Sequence, residues 1–274
     1  MSMGYEDPPD LSGTGFEEAT GEVKHRMIMS IEGQEGSGKS HLALTSPDPI
    51  GYIDFDVGSE GVIEKFKKGL DGCPKKDIFI SSYRIPMVSK AAKKATSDVK
   101  AKMTQEAAKT AEPVWEKVVN DYCKGLERFR TLIVDTGTEM HEMIRLARLG
   151  KLTEVMPEHY GPVNAEFRDL VRLAYESDCN VIFLHKMKEE WLKGKGEKRA
   201  NFTGNYVRAG FNGMGYLMQV NLQTIWDKED GFTVEVTKCR QNADLRGELI
   251  EDPFNNIPMI AQMVFPETSS EDWE

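Results

Sequence analysis

The sequence predicts an α/β fold: a mostly parallel central sheet flanked by helices, with an antiparallel hairpin towards its C-terminal end. Three observations carry that expectation. Short apolar runs alternate with helix-patterned stretches between residues 26 and 185, as in strand–crossover–strand units with right-handed connections. A glycine-rich turn, Gly33-Gln34-Glu35-Gly36-Ser37-Gly38-Lys39-Ser40, stands between the first apolar run and a helix-compatible segment. Two β-type segments, 218–227 and 232–240, flank Glu229-Asp230-Gly231, which reads as a hairpin turn.

The elements follow in order. Residues 1–22 are rich in Gly, Pro, Ser and acid and read as a flexible arm. The first strand spans about 26–32, and Pro47 and Pro49 close the helix after the glycine-rich turn. Residues 50–56 form a second apolar strand ending in acids, followed by a helix over 59–68 and a short strand within 77–85. From Pro86 to Phe129 the pattern is helical, interrupted at Pro113. Its second part carries Trp115, Val118, Val119, Tyr122 and Leu126 as a core-facing stripe. Thr131–Asp135 is a buried strand, 138–148 a helix, and Pro157, Gly161 and Pro162 break the chain before a helix over 163–177. Asn180–His185 is another buried strand, 186–213 reads as a Gly- and Lys-rich loop, and Met259–Phe265 as an edge strand.

With 39% hydrophobic and 29% charged residues in 274, the composition is that of a soluble globular chain. No apolar run reaches membrane-spanning length and no signal peptide is visible. Cys73, Cys123, Cys179 and Cys239 are scattered without metal-type or disulfide-framework spacing, so a cytoplasmic setting is expected. The net charge of −10 argues against a simple basic nucleic-acid binder. The charge is uneven: residues 84–110 hold seven Lys/Arg against two acids, and 186–208 seven against three. A polyanion can meet those stretches, or the first is a solvated helix face and the second a surface loop.

The chemistry centres on the glycine-rich turn, which has the G-x-x-x-x-G-K-S phosphate-binding pattern. Its glycines free backbone N–H groups for phosphate oxygens, Lys39 reaches the β- and γ-phosphates and the Ser40 hydroxyl binds Mg²⁺. Asp135, at the carboxyl end of a buried strand, complements Ser40 at the metal. Asp56, with Glu60 in reserve, is the candidate to orient an attacking water; a helix-capping role fits these acids equally. His185, at the end of the Val181–His185 run, is a candidate reporter of nucleotide state. Beyond it, Lys188, Lys193, Lys195, Lys198, Arg199 and Arg208 stand among Trp191, Phe202, Tyr206 and Phe211. Cations that track phosphates and aromatics that stack bases suit single-stranded nucleic acid; a lid over the nucleotide is the alternative.

In this order these pieces resemble the RecA/RadA recombinase core, over roughly residues 26–250. The glycine-rich turn looks like the RecA form down to its Glu35, and Tyr52-Ile53-Asp54-Phe55-Asp56 looks like the strand bearing the family's catalytic glutamate, here Asp56. Phe183-Leu184-His185-Lys186 is similar to the strand that ends in the γ-phosphate sensor, with His-Lys for the family's Asn-Gln. Thr237-Lys238-Cys239-Arg240 resembles the paired cations that reach a neighbouring subunit's nucleotide, and Phe16-Glu17-Glu18-Ala19 the Phe-x-x-Ala subunit-docking motif. The chain then divides into an acidic arm (1–24), a RecA-like ATPase core (25–266) with a Lys-rich helical insertion near 86–112 that the RecA core does not explain, and an acidic tail (267–274). The resemblance implies ATP and Mg²⁺ as ligands, with the backbone from Gly33 to His41 holding phosphate and Lys238 and Arg240 completing the site. It further implies a homo-oligomeric filament or ring, single-stranded DNA as partner, a single-strand-binding protein as a further one, and no membrane. A compact core of this kind is most like the single-strand annealing or recombination ATPases of bacteriophages. The rival readings are a DNA motor of helicase or packaging type and a slowly hydrolysing assembly or loader protein.

Overall fold

The computed structural model describes residues 21, 23–56, 58–85, 97–150, 157–193, 199–229, 231–251 and 256–273, with backbone only for 97–104 and 157. Phe16, Ala19, Lys195, Lys198 and the first part of the expected insertion (86–96) lie outside them.

The chain begins with β1 (Ile28–Gly33), α1 (Lys39–Ala43), β2 (Ile50–Asp54), α2 (Glu60–Lys68) and β3 (Ile78–Ser82). Next come α3 (Ser97–Arg128), β4 (Thr131–Asp135), α4 (Gly137–Leu149), α5 (Tyr160–Glu176) and β5 (Asn180–Leu192). The last third holds β6 (Asn201–Arg208), α6 (Met214–Leu217), β7 (Val220–Asp227), β8 (Gly231–Cys239), β9 (Leu249–Ile250) and α7 (Ile257–Val264). The strands make one mixed sheet in the order β3-β2-β4-β5-β1-β7-β8-β9, with β6 paired to β5. From β3 to β7 every pairing is parallel, and β7–β8, β8–β9 and β5–β6 are antiparallel.

Strand alternation builds two cores. Met29, Ile31, Ile133, Ile182 and Leu184 face α1, α2 and α7, while Ile28, Leu132, Val134, Val181 and Phe183 face α3, α4, α5 and α6. The central strands are thus apolar on both faces, as parallel strands covered by helices must be. Because β1, β2, β4 and β5 run parallel, their carboxyl ends share one edge, and that edge carries Gly33, Asp54, Asp135 and Lys186.

Three expectations are corrected. The 186–213 stretch is not an irregular loop: β5 runs on to Leu192 and turns back as β6. Alternating Val, Thr, Tyr and Phe there favour strands, and the glycines hid it. Met259–Phe265 belongs to a helix, not an edge strand. Asn256 caps it by accepting from the Met259 N–H at 2.8 Å, and Ile257, Ile260, Ala261 and Val264 are buried at helical spacing. Pro113 lies inside α3 instead of interrupting it. In the acidic tail, Trp273 is 1% exposed and stacks on Phe265, ring centroids 5.7 Å apart. Among the described residues no helix is long and apolar enough to cross a membrane.

Candidate functional site

The loop between β1 and α1 takes its shape from two left-handed residues, Gly36 (φ 74°) and Gly38 (φ 87°). Any side chain at Gly38 would also collide with the Phe232 ring, 2.7 Å from where a Cβ would lie. Ser37 closes the loop by donating to the Gln34 carbonyl at 2.8 Å and meeting Thr224 Oγ1 at 2.7 Å. Lys39 bends back over the loop, its Nζ donating to the carbonyls of Gly33 (3.0 Å) and Gln34 (2.6 Å). Burial lowers its pKa, and the carboxylates of Asp135 and Asp56 pull the other way. A cation held in this way on carbonyls alone is ready to exchange them for phosphate oxygens.

Asp135 sits 4% exposed at the end of β4. Its Oδ2 accepts from Ser40 Oγ at 2.9 Å and also from the Tyr52 hydroxyl. Burial raises the Asp135 pKa, and those two donors oppose the rise. The Asp135 carbonyl accepts from Phe55 N–H at 2.6 Å and from Asp56 N–H at 3.3 Å, so the ends of β2 and β4 are tied together. Among the described residues no group of three or more His, Cys, Asp or Glu is arranged to hold a metal. That suits Mg²⁺, which takes one or two protein oxygens and completes its shell with phosphate and water. Ser40 and Asp135 fit such an ion, and the loop with Lys39 fits a polyphosphate.

The strand β5 lies between β1 and β4, so its end falls between the loop and Asp135. The residue presented there is Lys186, whose Nζ lies 2.9 Å from Glu139 Oε1 and 3.5 Å from Asp56 Oδ2. Burial works against the Lys186 charge, but the Glu139 hydrogen bond and the two carboxylates outweigh it, and its pKa is raised. Asp56 is therefore at the site, half-buried opposite a cation. Glu60 is placed differently, exposed in the first turn of α2, where its charge suits the helix dipole.

Several expected site residues have other partners. His185 is fully buried beneath α4; a Cβ on Gly137 would lie 2.7 Å from its ring, and its Nε2 has no hydrogen-bond partner among the described residues. Strand alternation sets it on the opposite face of β5 from Lys186. His41 turns its ring onto Phe66, with Nε2 3.5 Å from Cys73 Sγ, leaving only its backbone for phosphate. Lys238 Nζ donates to the carbonyls of Gly215 (2.6 Å) and Met218 (2.7 Å), and Arg240 donates to that of Tyr216. Both thus cap the end of α6 within their own chain. Burial first, then the charges of Arg240 and Arg208, lower the Lys238 pKa to about 8. Arg208 is not a free cation: its Nε lies 2.8 Å from Glu32 Oε2, with side chains 11% and 12% exposed. Phe211 is 7% exposed, in a core cluster with His141 and Phe167.

Lys188, Lys193, Arg199, Phe202 and Tyr206 line the β5–β6 hairpin and are exposed. Trp191 (55% exposed) lies 5.9 Å from Phe202, which lies 5.8 Å from Tyr206, ring centroid to centroid. The hairpin base is bound to the site. Arg208 reaches Glu32 on β1, and Thr138 Oγ1 accepts from the Lys186 N–H (3.1 Å) and donates to the Ala209 carbonyl (3.3 Å). A cleft of about 540 Å³ lies between Gln34–Ser37, Gly204–Tyr206 and Gln223–Trp226. The sequence reading missed Tyr52 and Glu139. A tyrosine in an apolar strand ending in acids was the available signal for the first; nothing local marks the second.

An α/β sheet whose parallel strands deliver a glycine-rich phosphate loop, a Lys-Ser pair and a strand-end aspartate to one edge defines a P-loop NTPase. A family model described as an AAA domain, AAA_24, matches residues 25–212, and the chain belongs to that family. AAA domains are ATP-hydrolysing modules that bind ATP with Mg²⁺, and the match runs from β1 through the hairpin. No curated protein matches the chain.

Two outcomes follow. Arg208→Ala leaves Glu32 buried without its cation and should cost about 3–5 kcal/mol in chemical denaturation; a cost near zero would contradict a structural ion pair. Burial, then the charges of Arg208 and His141, hold the His185 pKa well below its ordinary value. Its stabilising contribution is whole above about pH 6.5, the unfolded value, and is lost as pH falls below it, because only the unfolded chain takes up the proton. The melting temperature should therefore drop less steeply between neutral and mildly acidic pH in His185→Gln than in the wild type. Equal slopes would show that His185 is not held neutral.

Proposed function

We propose that this AAA-family ATPase is a single-stranded-DNA-binding protein of recombination or annealing type, in which nucleotide occupancy sets the grip of the β5–β6 hairpin on DNA. The observation that carries the reading is one strand with two ends of different chemistry. At its inner end β5 presents Lys186 to Asp56 and Glu139; five residues on, the same strand presents Trp191 beside Phe202 and Tyr206. Exposed aromatics flanked by Lys188, Lys193 and Arg199 suit bases and phosphates of a single strand. Lys39, Ser40 and Asp135 hold Mg²⁺–ATP, and Asp56 orients the attacking water. Lys186 takes the γ-phosphate-sensing place first given to His185. A RecA-like homo-oligomer joined through Phe16 and Ala19, and a single-strand-binding protein as partner, belong to the same reading.

A second reading keeps the AAA-type ATPase of the family match as a DNA motor or a slowly hydrolysing loader, and this chain keeps Lys238 and Arg240 engaged on its own α6. Turnover separates the motor from the annealing protein: an annealing protein hydrolyses slowly, and a motor turns over fast when DNA is added. ATPase rates and fluorescence anisotropy of a labelled oligonucleotide should show Lys39→Ala inactive, Asp56→Asn slow but still nucleotide-binding, and Trp191→Ala about tenfold weaker on DNA. Absence of single-strand binding with and without ATP would remove the DNA assignment and leave the ATPase.

A further inference from the structure

We infer that Tyr52 is a positioning residue for the metal: its hydroxyl fixes the Asp135 carboxylate in the orientation from which, together with Ser40, it would hold Mg²⁺. This rests on Asp135 and Ser40 serving the metal. Tyr52 lies on β2, its Cα in register with Ile133 on β4, two residues short of Asp135 along the same face. The ring is 1% exposed, and its hydroxyl donates to Asp135 Oδ2, the oxygen that also accepts from Ser40 Oγ at 2.9 Å. Two donors occupy the two acceptor sites of that oxygen. The Ser40 hydroxyl has one proton and two lone pairs, so it can keep its proton on Asp135 while a lone pair meets the cation. Tyr52 has no such second task. It is walled in by the core, and its one hydrogen bond holds a carboxylate that is 4% exposed in a fixed orientation. The backbone fixes the other end of the residue: the Asp135 carbonyl is gripped by Phe55 N–H at 2.6 Å. Between these two anchors the side chain has one orientation to offer. Outer partners of metal-binding carboxylates act in this way, and removing one typically weakens metal affinity about 10–100-fold.

Tyr52→Phe keeps the ring and removes only the hydroxyl. The affinity of a fluorescent ATP analogue is measured for the full chain in EDTA and across a Mg²⁺ titration, in wild type, Tyr52→Phe, Asp135→Asn and the double variant. Affinity in EDTA should be unchanged in Tyr52→Phe, while the Mg²⁺ concentration for half-maximal tightening rises about tenfold. In the Asp135→Asn background, Tyr52→Phe should change nothing further. Equal loss in EDTA and in Mg²⁺ would assign Tyr52 a merely structural role, and a Mg²⁺ response like the wild type's would remove it from the site. If Asp135→Asn itself keeps the full Mg²⁺ response, the metal reading of Asp135 fails, and the role of Tyr52 with it. A Tyr52→Phe effect that persists in the Asp135→Asn background would overturn the route through Asp135 alone.

Discussion

The hydrogen bond from Ser40 to Asp135 joins the loop after β1 to the end of β4, across the strand that lies between them. Its 2.9 Å length is possible only because β1, β4 and β5 are parallel and in register, ending together at one edge of the sheet. The twofold apolar faces of those strands exist to secure that register: slip one strand by a residue and Asp135, Lys186 and Gly33 no longer meet. The two hydrophobic cores thus bring the phosphate-loop glycine Gly33 and the side chains of Asp135 and Lys186 to one edge of the sheet.

Electrostatically the site is a balance that a nucleotide would tip. Carboxylates at Asp54 and Asp135 are pushed towards the protonated form by burial. Against them stand Lys39 on the loop carbonyls and Lys186 between Glu139 and Asp56. Polyphosphate and Mg²⁺ bring both signs of charge into this balance, so each cation has a reason to change partner. The hairpin is built onto the same edge through the buried Arg208–Glu32 pair and the Thr138 bridge, which gives a change at Lys186 a short covalent path to Trp191. Arg208 thus anchors the hairpin to β1 instead of offering a free charge to DNA.

Much of the sheet could be read from the chain because local and global signals agree there. The runs 28–33, 50–54, 131–135 and 180–185 are short, apolar and bounded by turn residues, and each became a strand. Asp135 could be read because three apolar residues and an acid mark a buried strand end. His185 misled because period-two alternation says which residues share a face, not which face holds the ligand. Lys186, one residue on, is the one that meets Asp56 and Glu139. The α7 segment misled because a short, nearly all-apolar run has no period to read until Asn256 is seen as its cap. Lys238 and Arg240 were read as a pair on one strand face, but β8 ends at Cys239, just before Arg240; their partners, the α6 carbonyls, are more than twenty residues away in sequence and no local pattern announces them.

The most direct test is a crystal structure with a non-hydrolysable ATP analogue and Mg²⁺. The account predicts Lys39 Nζ withdrawn from the Gly33 and Gln34 carbonyls to the phosphates, the Ser40 oxygen on the metal, and Asp135 still held by Tyr52. Nucleotide found elsewhere, or bound here with Lys39 still on its present carbonyls and the Ser40 oxygen away from the metal, would contradict it.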